Sequence, residues 1–127
     1  MNEGKIHGIN ADTVPEDVKM VICPDSSSNS YEDHKKLRER GCDVLVLDHH
    51  LAERESADAI IINNQMCDYP NKTLSGVGIV YKFCSYLDSL LGTEYAKEIL
   101  DLTAVGIIAD MMDLRNFETH YIITQGL

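Results

Sequence analysis

The 127 residues carry 11 Lys and Arg against 21 Asp and Glu. The resulting net charge of −10 argues against a generic nucleic-acid-binding surface, which needs clustered basic side chains to displace counterions. Hydrophobic residues make up 44% without one long apolar run, which suits a single core and excludes a membrane span.

The N-terminus has no apolar stretch of a secretory kind, and Cys23, Cys42, Cys67 and Cys84 form no C-x-x-C pair. Reduced, mostly buried thiols and a cytoplasmic setting are the expectation. Gly4 and Gly8 break up Lys5-Ile6-His7, where His7 is expected on the surface or in packing. Residues 12–15 read as a turn, and 18–23 as a short strand that stops at Pro24. Asp25 and the hydroxyl-rich Ser26, Ser27, Ser28 and Asn29 follow, with two compatible readings. Ser28 or Asn29 would cap the next helix, while Asp25 would be a metal ligand at the carboxyl end of its strand. Residues 31–40 form a charged helix, acidic early and basic late as its dipole prefers, with Leu37 inward and His34 on the surface.

The run Val44-Leu45-Val46-Leu47 reads as a strand buried on both faces, and it stops at Asp48-His49-His50. Two imidazoles beside an acid suit a divalent cation, although a solvated loop is the plain alternative. Strand, helix, strand makes the two strands parallel, so Asp25 and the triplet share one edge of the sheet, where open α/β sheets bind ligands.

After a polar connection over 51–58, residues 59–62 read as a third buried strand and 63–72 as a long surface loop. Ser75 is a candidate N-cap, and Ser75-Gly76-Val77-Gly78 opens a helix carrying Ile79, Val80, Phe83, Leu87, Leu90 and Leu91. Glycines there permit close approach of a backbone or a phosphate, with packing the default reading. Gly92-Thr93 ends that helix, and another runs through Ile99, Leu102, Val105 and Ile108 before reaching Asp110. An unpaired acid at a helix C-terminus opposes the dipole by up to about 1 kcal/mol, so a compensating partner is expected. A metal ion would supply one for Asp110, and Arg115 for Asp113. Residues 116–126 form a last helix with Ile122 and Ile123 inward. The fold class is therefore α/β: a parallel sheet flanked by helices, with a largely helical C-terminal half.

In order along the chain stand Asp25, Asp48-His49-His50, the segment Cys67-Asp68-Tyr69-Pro70-Asn71-Lys72-Thr73-Leu74-Ser75-Gly76-Val77-Gly78, and Gly106-Ile107-Ile108-Ala109-Asp110. This series resembles the DHH phosphoesterase superfamily, and the Tyr-Pro-x-Lys-x-Leu-x-Gly-x-Gly segment resembles the RecJ-type 5′-3′ single-stranded-DNA exonucleases within it. The resemblance implies phosphodiester hydrolysis at a two-metal site, usually Mn²⁺ or Mg²⁺, in which two cations roughly 3.5–4 Å apart activate water and neutralise charge. By the family pattern Asp25 would bridge the metals, and His49 and Asp110 would bind one of them. His50 would face the scissile phosphate, Asp48 would support the site, and Ser26 to Asn29 with Ser75, Gly76 and Gly78 would line the pocket.

The departures carry their own expectations. The family's first, Asp-rich motif is not found upstream of Asp25; Met1 to Asn10 resembles the stretch that follows it, and a strand beside the others is missing. The second, nucleic-acid-binding domain that the resemblance implies is expected to lie outside these residues, and Thr119-His120 replaces an expected Asn-Arg pair. The resemblance thus implies a partial DHH domain over residues 1–127, inactive alone, acting on single-stranded DNA only within a parent protein. Its uncovered sheet edge would be inclined to dimerise. A small-molecule hydrolase acting on oligoribonucleotides, cyclic dinucleotides or pyrophosphate is the alternative enzyme, and a non-catalytic scaffold the alternative outside enzymes.

Overall fold

Five successive residues of one strand, Val44 to Asp48, are buried, as expected of a strand covered on both faces. In the computed structural model, which describes residues 8–127, this strand is the centre of a three-stranded parallel sheet. His7 lies outside the described residues. The order is β1 (Met20–Pro24), β2 (Asp43–Asp48), β3 (Ile60–Asn63), with Ile22, Leu45 and Ile60 in register.

Alternation along β2 feeds two cores. Val44 and Val46 pack with Leu37 of α1 (Tyr31–Glu39), Cys42, Cys23 and Ala11. Leu45 and Leu47 face the other way, onto Leu74, Ile79 of α2 (Gly76–Leu91), Ile107 of α3 (Leu100–Ala109) and Ile122 of α4 (Phe117–Gly126). The second face is only partly covered. Met20 and Ile22 on β1, and Ile60 on β3, remain more than half exposed, so β3 is an edge strand rather than the buried one its Ile-rich run suggests.

Two further expectations are corrected, and the inward face of α3 is set by contacts that its sequence does not show. Ser30, not Ser28 or Asn29, precedes α1, and it makes no side-chain capping bond. Asn29 instead serves the helix-free crossover from β2 to β3, donating to Leu51 O (3.0 Å) and accepting from Glu53 N (3.0 Å). His34 is fully buried beneath that crossover, its Nδ1 3.1 Å from Ser56 Oγ and its Nε2 without a hydrogen-bond partner of good geometry among the described residues. On α3 the inward residues are Thr103, Ala104 and Ile107, while Leu102, Val105 and Ile108 face out. That helix is apolar almost all round, so periodicity selects no face; small residues do, letting Gly126 of α4 close onto Leu100 O and Ala104.

The α2 cap follows expectation: Ser75 Oγ accepts from Gly78 N (3.3 Å), and Gly92 ends the helix with φ +69°. Among the described residues no helix is long and apolar enough to cross a membrane, and all four cysteines are free. Cys23 and Cys42 are buried, Cys67 exposed.

Candidate metal centre

Parallel pairing brings Pro24 opposite Leu47, and the ladder gains one more bond as Asp25 N donates to Leu47 O at 2.8 Å. The chain then turns sharply: Asp25 has φ +56° and Ser27 φ +81°, conformations uncommon outside glycine. The turn aims the Asp25 carboxylate at the first histidine after β2. His49 Nε2 lies 3.2 Å from Asp25 Oδ1 and 3.6 Å from Asp110 Oδ2. Asp110 arrives from elsewhere, at the C-cap of α3. One donor atom each from Asp25, His49 and His50 also lies within 4.8 Å of the others. Asp110 stands outside that mutually close group and meets it at His49; carboxylate oxygens with imidazole nitrogens, three residues from the sheet edge and one from a helix end, are a donor set that fits Mn²⁺ or Mg²⁺. Arg115 is not the partner of Asp110, because it is held by Asp113 through Nε–Oδ1 (2.9 Å) and Nη2–Oδ2 (2.7 Å). That pairing holds the Asp113 carboxyl down at about 2.

Asp48 is the anchor behind this cluster. It is 1% exposed, and its Oδ1 accepts from His49 N (2.8 Å) and His50 N (3.3 Å), while Oδ2 accepts from Ser28 N (3.2 Å). Burial pushes its carboxyl up, yet the hydrogen bonds from His50 and Ser28 outweigh that and hold it below the usual carboxylate range. His50 Nδ1 sits 2.7 Å from the same Oδ1, and this contact pushes the imidazole up.

Asn63 completes the support, although as the first residue of a polar stretch it carries no obvious role in the sequence. At the carboxyl end of β3, in register with Asp48 and 3% exposed, it donates from Nδ2 to Ser28 Oγ (2.9 Å) and to His50 O (2.8 Å). The only signal was its position, one residue beyond an apolar run, like Asp48. The expected surface loop after it is in fact pinned. Asn64 donates to Asn71 O (2.9 Å) and Leu74 O (3.2 Å), while Tyr69 Oη (2.6 Å) and Asn71 Nδ2 (3.1 Å) both donate to Glu118 of α4.

Two hollows open beside the donors. One, of about 410 Å³, is lined by Asp25, Ser26, Ser27, Ser28, Asn29, Asp48 and His50, so the hydroxyl-rich loop does border the centre. The other, of about 340 Å³, lies among Asp25, Ser75, Val77 and Asp110. Gly76 and Gly78 line neither: Gly78 is buried against Leu74, and Gly76 against Asp25 itself.

Residues 4–107 match the DHH family, N-terminal domain. The chain is 48% identical, over all of its length, to a Bacillus subtilis (strain 168) protein provisionally named the SPbeta prophage-derived single-strand DNA-specific exonuclease YorK, and covers 22% of that protein. It is 39% identical to the single-stranded-DNA-specific exonuclease RecJ of the same strain, with 85% of this chain and 14% of RecJ aligned. A crystal structure of exonuclease RecJ bound to manganese superposes with a TM-score of 0.81 at 25% identity, covering 94% of this chain and 31% of that one. The chain thus spans about a fifth of the first of these relatives.

Proposed function

This chain belongs to the DHH family, and from that membership we propose that its metal centre serves the hydrolysis of phosphodiesters in single-stranded DNA, as a partial DHH domain of a longer, RecJ-like exonuclease. The observation that carries the reading is the convergence of Asp25 Oδ1 and Asp110 Oδ2 on His49 Nε2. Asp25, His49 and Asp110 would hold the cation. Bound there, Mn²⁺ or Mg²⁺ lowers the pKa of water and neutralises charge on the phosphate. His50 acts on the substrate side: with Nδ1 turned to Asp48, a contact that pushes the imidazole up, its Nε2 is left to face a phosphate oxygen. Asp48 fixes that ring, and the Ser26 to Asn29 basin receives the strand next to the scissile bond.

Completion by the rest of a longer protein is part of the proposal. The relatives' greater length supports it, as do the outward Leu102, Val105 and Ile108 and the half-bare apolar sheet face, surfaces of the kind that interfaces cover. A net charge of −10 gives this chain little hold on a polyanion, so basic contacts would come from outside it. The expected result for the chain alone is therefore silence on single-stranded DNA, with self-association through the edge of β1. The test is incubation of the intact protein with Mn²⁺ and a 5′-labelled single-stranded oligonucleotide. Nucleotide release that depends on metal and is lost in His49→Ala supports the reading. Turnover of a cyclic dinucleotide or pyrophosphate, with none of DNA, would overturn it in favour of a small-molecule hydrolase.

A further inference from the structure

We infer that Gly76 is a positioning residue for Asp25: the missing side chain at the first residue of α2 is the slot into which that carboxylate is set. The inference rests on the metal reading above and deepens it. A Cβ at Gly76 would lie 2.7 Å from Asp25 Cγ and 2.8 Å from Asp25 Cβ, and would overlap Oδ1 outright. Oδ1 is also the oxygen that faces His49 Nε2 at 3.2 Å. A methyl group would therefore displace the very atom that completes the donor cluster.

Asp25 has limited means of giving way. Rotation about its Cα–Cβ bond carries Oδ1 and Cγ out toward solvent, which is open because the side chain is 57% exposed. That rotation leaves Cβ where it is, and Cβ is held by a backbone already at φ +56° whose N–H is bonded to Leu47 O. The opposing wall is equally fixed, since Gly76 follows the N-cap Ser75, which is 1% exposed and closes the first turn of α2 on Gly78 N. Nothing in the conformation of Gly76 itself requires glycine, because its φ is not in the left-handed region. Its need is for space, and the space is filled by one functional side chain.

The test is Gly76→Ala in the intact protein, read in two ways. Calorimetric titration with Mn²⁺ should show affinity falling about 10- to 100-fold, the range found when a residue orienting a ligand is lost. Thermal unfolding in metal-free buffer then gives a double-mutant cycle with Asp25→Gly, which removes all three crowded atoms and tolerates the positive φ. Gly76→Ala should lower the melting temperature when Asp25 is present and leave it unchanged or raise it slightly when residue 25 carries no side chain. Unaltered Mn²⁺ affinity, or equal destabilisation in both backgrounds, would overturn the assignment of Gly76. The functional reading fails separately, by absence of Mn²⁺ binding to the wild-type protein.

Discussion

His50 Nδ1 lies 2.7 Å from Asp48 Oδ1, joining an imidazole whose side chain is 60% exposed to a carboxylate that is 1% exposed. One member is fixed in the protein and the other is offered to solvent, so the pair acts as a mount that holds a ring at a set angle. Both partners shift in the sense of an ion pair, the carboxyl held low and the imidazole pushed up.

Asp48→Asn should be costly for the fold as well as the site. An amide nitrogen in place of either oxygen would meet an N–H donor, of Ser28 on one side or of His49 and His50 on the other. Leaving such a buried group unpaired costs about 1–3 kcal/mol. Urea titration should show a lower midpoint with an unchanged slope.

His49→Ala removes the nitrogen on which both carboxylates converge, while β2 keeps its packing through Val44 to Leu47. Mn²⁺ binding and turnover should be lost, with circular dichroism almost unchanged. Turnover within a few-fold of wild type in saturating Mn²⁺ would show the residue to be misassigned.

Glu118 should govern part of the acid limb. Burial pushes its carboxyl up, but hydrogen bonds from Tyr69, Lys82 and Asn71 prevail and hold it below the ordinary glutamate value. A depressed folded-state pKa gives stability that is complete above the unfolded value, near 4.3, and is lost as pH falls through the folded one. Glu118→Gln should therefore be less stable than wild type at pH 7 and lose less on acidification below about pH 4.3. Chemical denaturation across that range measures the difference.

His34 should set a second, milder pH dependence. Burial pushes its imidazole down, so the unfolded chain binds the proton more readily than the folded one. Stability is then complete above the ordinary histidine value of about 6.5 and declines as pH falls through the lower folded value. His34→Leu should flatten the denaturation midpoint between pH 7.5 and pH 5, about the window in which histidine takes up its proton.

The expected skeleton of the site was legible because topology alone dictates it. An apolar β2 ending at Asp48-His49-His50 and a parallel β1 ending before Asp25 must deliver their polar ends to one edge. Asp110 was legible for a different reason, as an acid on the unfavourable end of an apolar helix. What stayed hidden was set by contacts remote in sequence. His34 looks like a surface residue of a charged helix until the crossover 22 residues later covers it. Asn63 looks like the start of a loop until it bonds to Ser28 across the sheet, 35 residues away. The inward face of α3 could not be read from a pattern apolar on nearly every side, and the exposure of β3 could not be read from its own residues, since it depends on what lies beside it.

The separate origin of Asp110 makes the centre a fastener. Asp25 and His49 belong to the sheet, whereas α3 rests on α2 and α4 and reaches the sheet largely through them. A cation gripped from both sides would cross-link the sheet edge to the end of α3, beyond the core that Ile107 already shares with Leu45 and Leu47. At a free concentration 100 times its dissociation constant such a ligand adds about 2.7 kcal/mol to the folded state. Helical backbone amides around Ile107 to Ala109 would then exchange with solvent more slowly in the presence of the ion, so that occupancy of the site is written into the breathing of a helix that forms no part of the sheet.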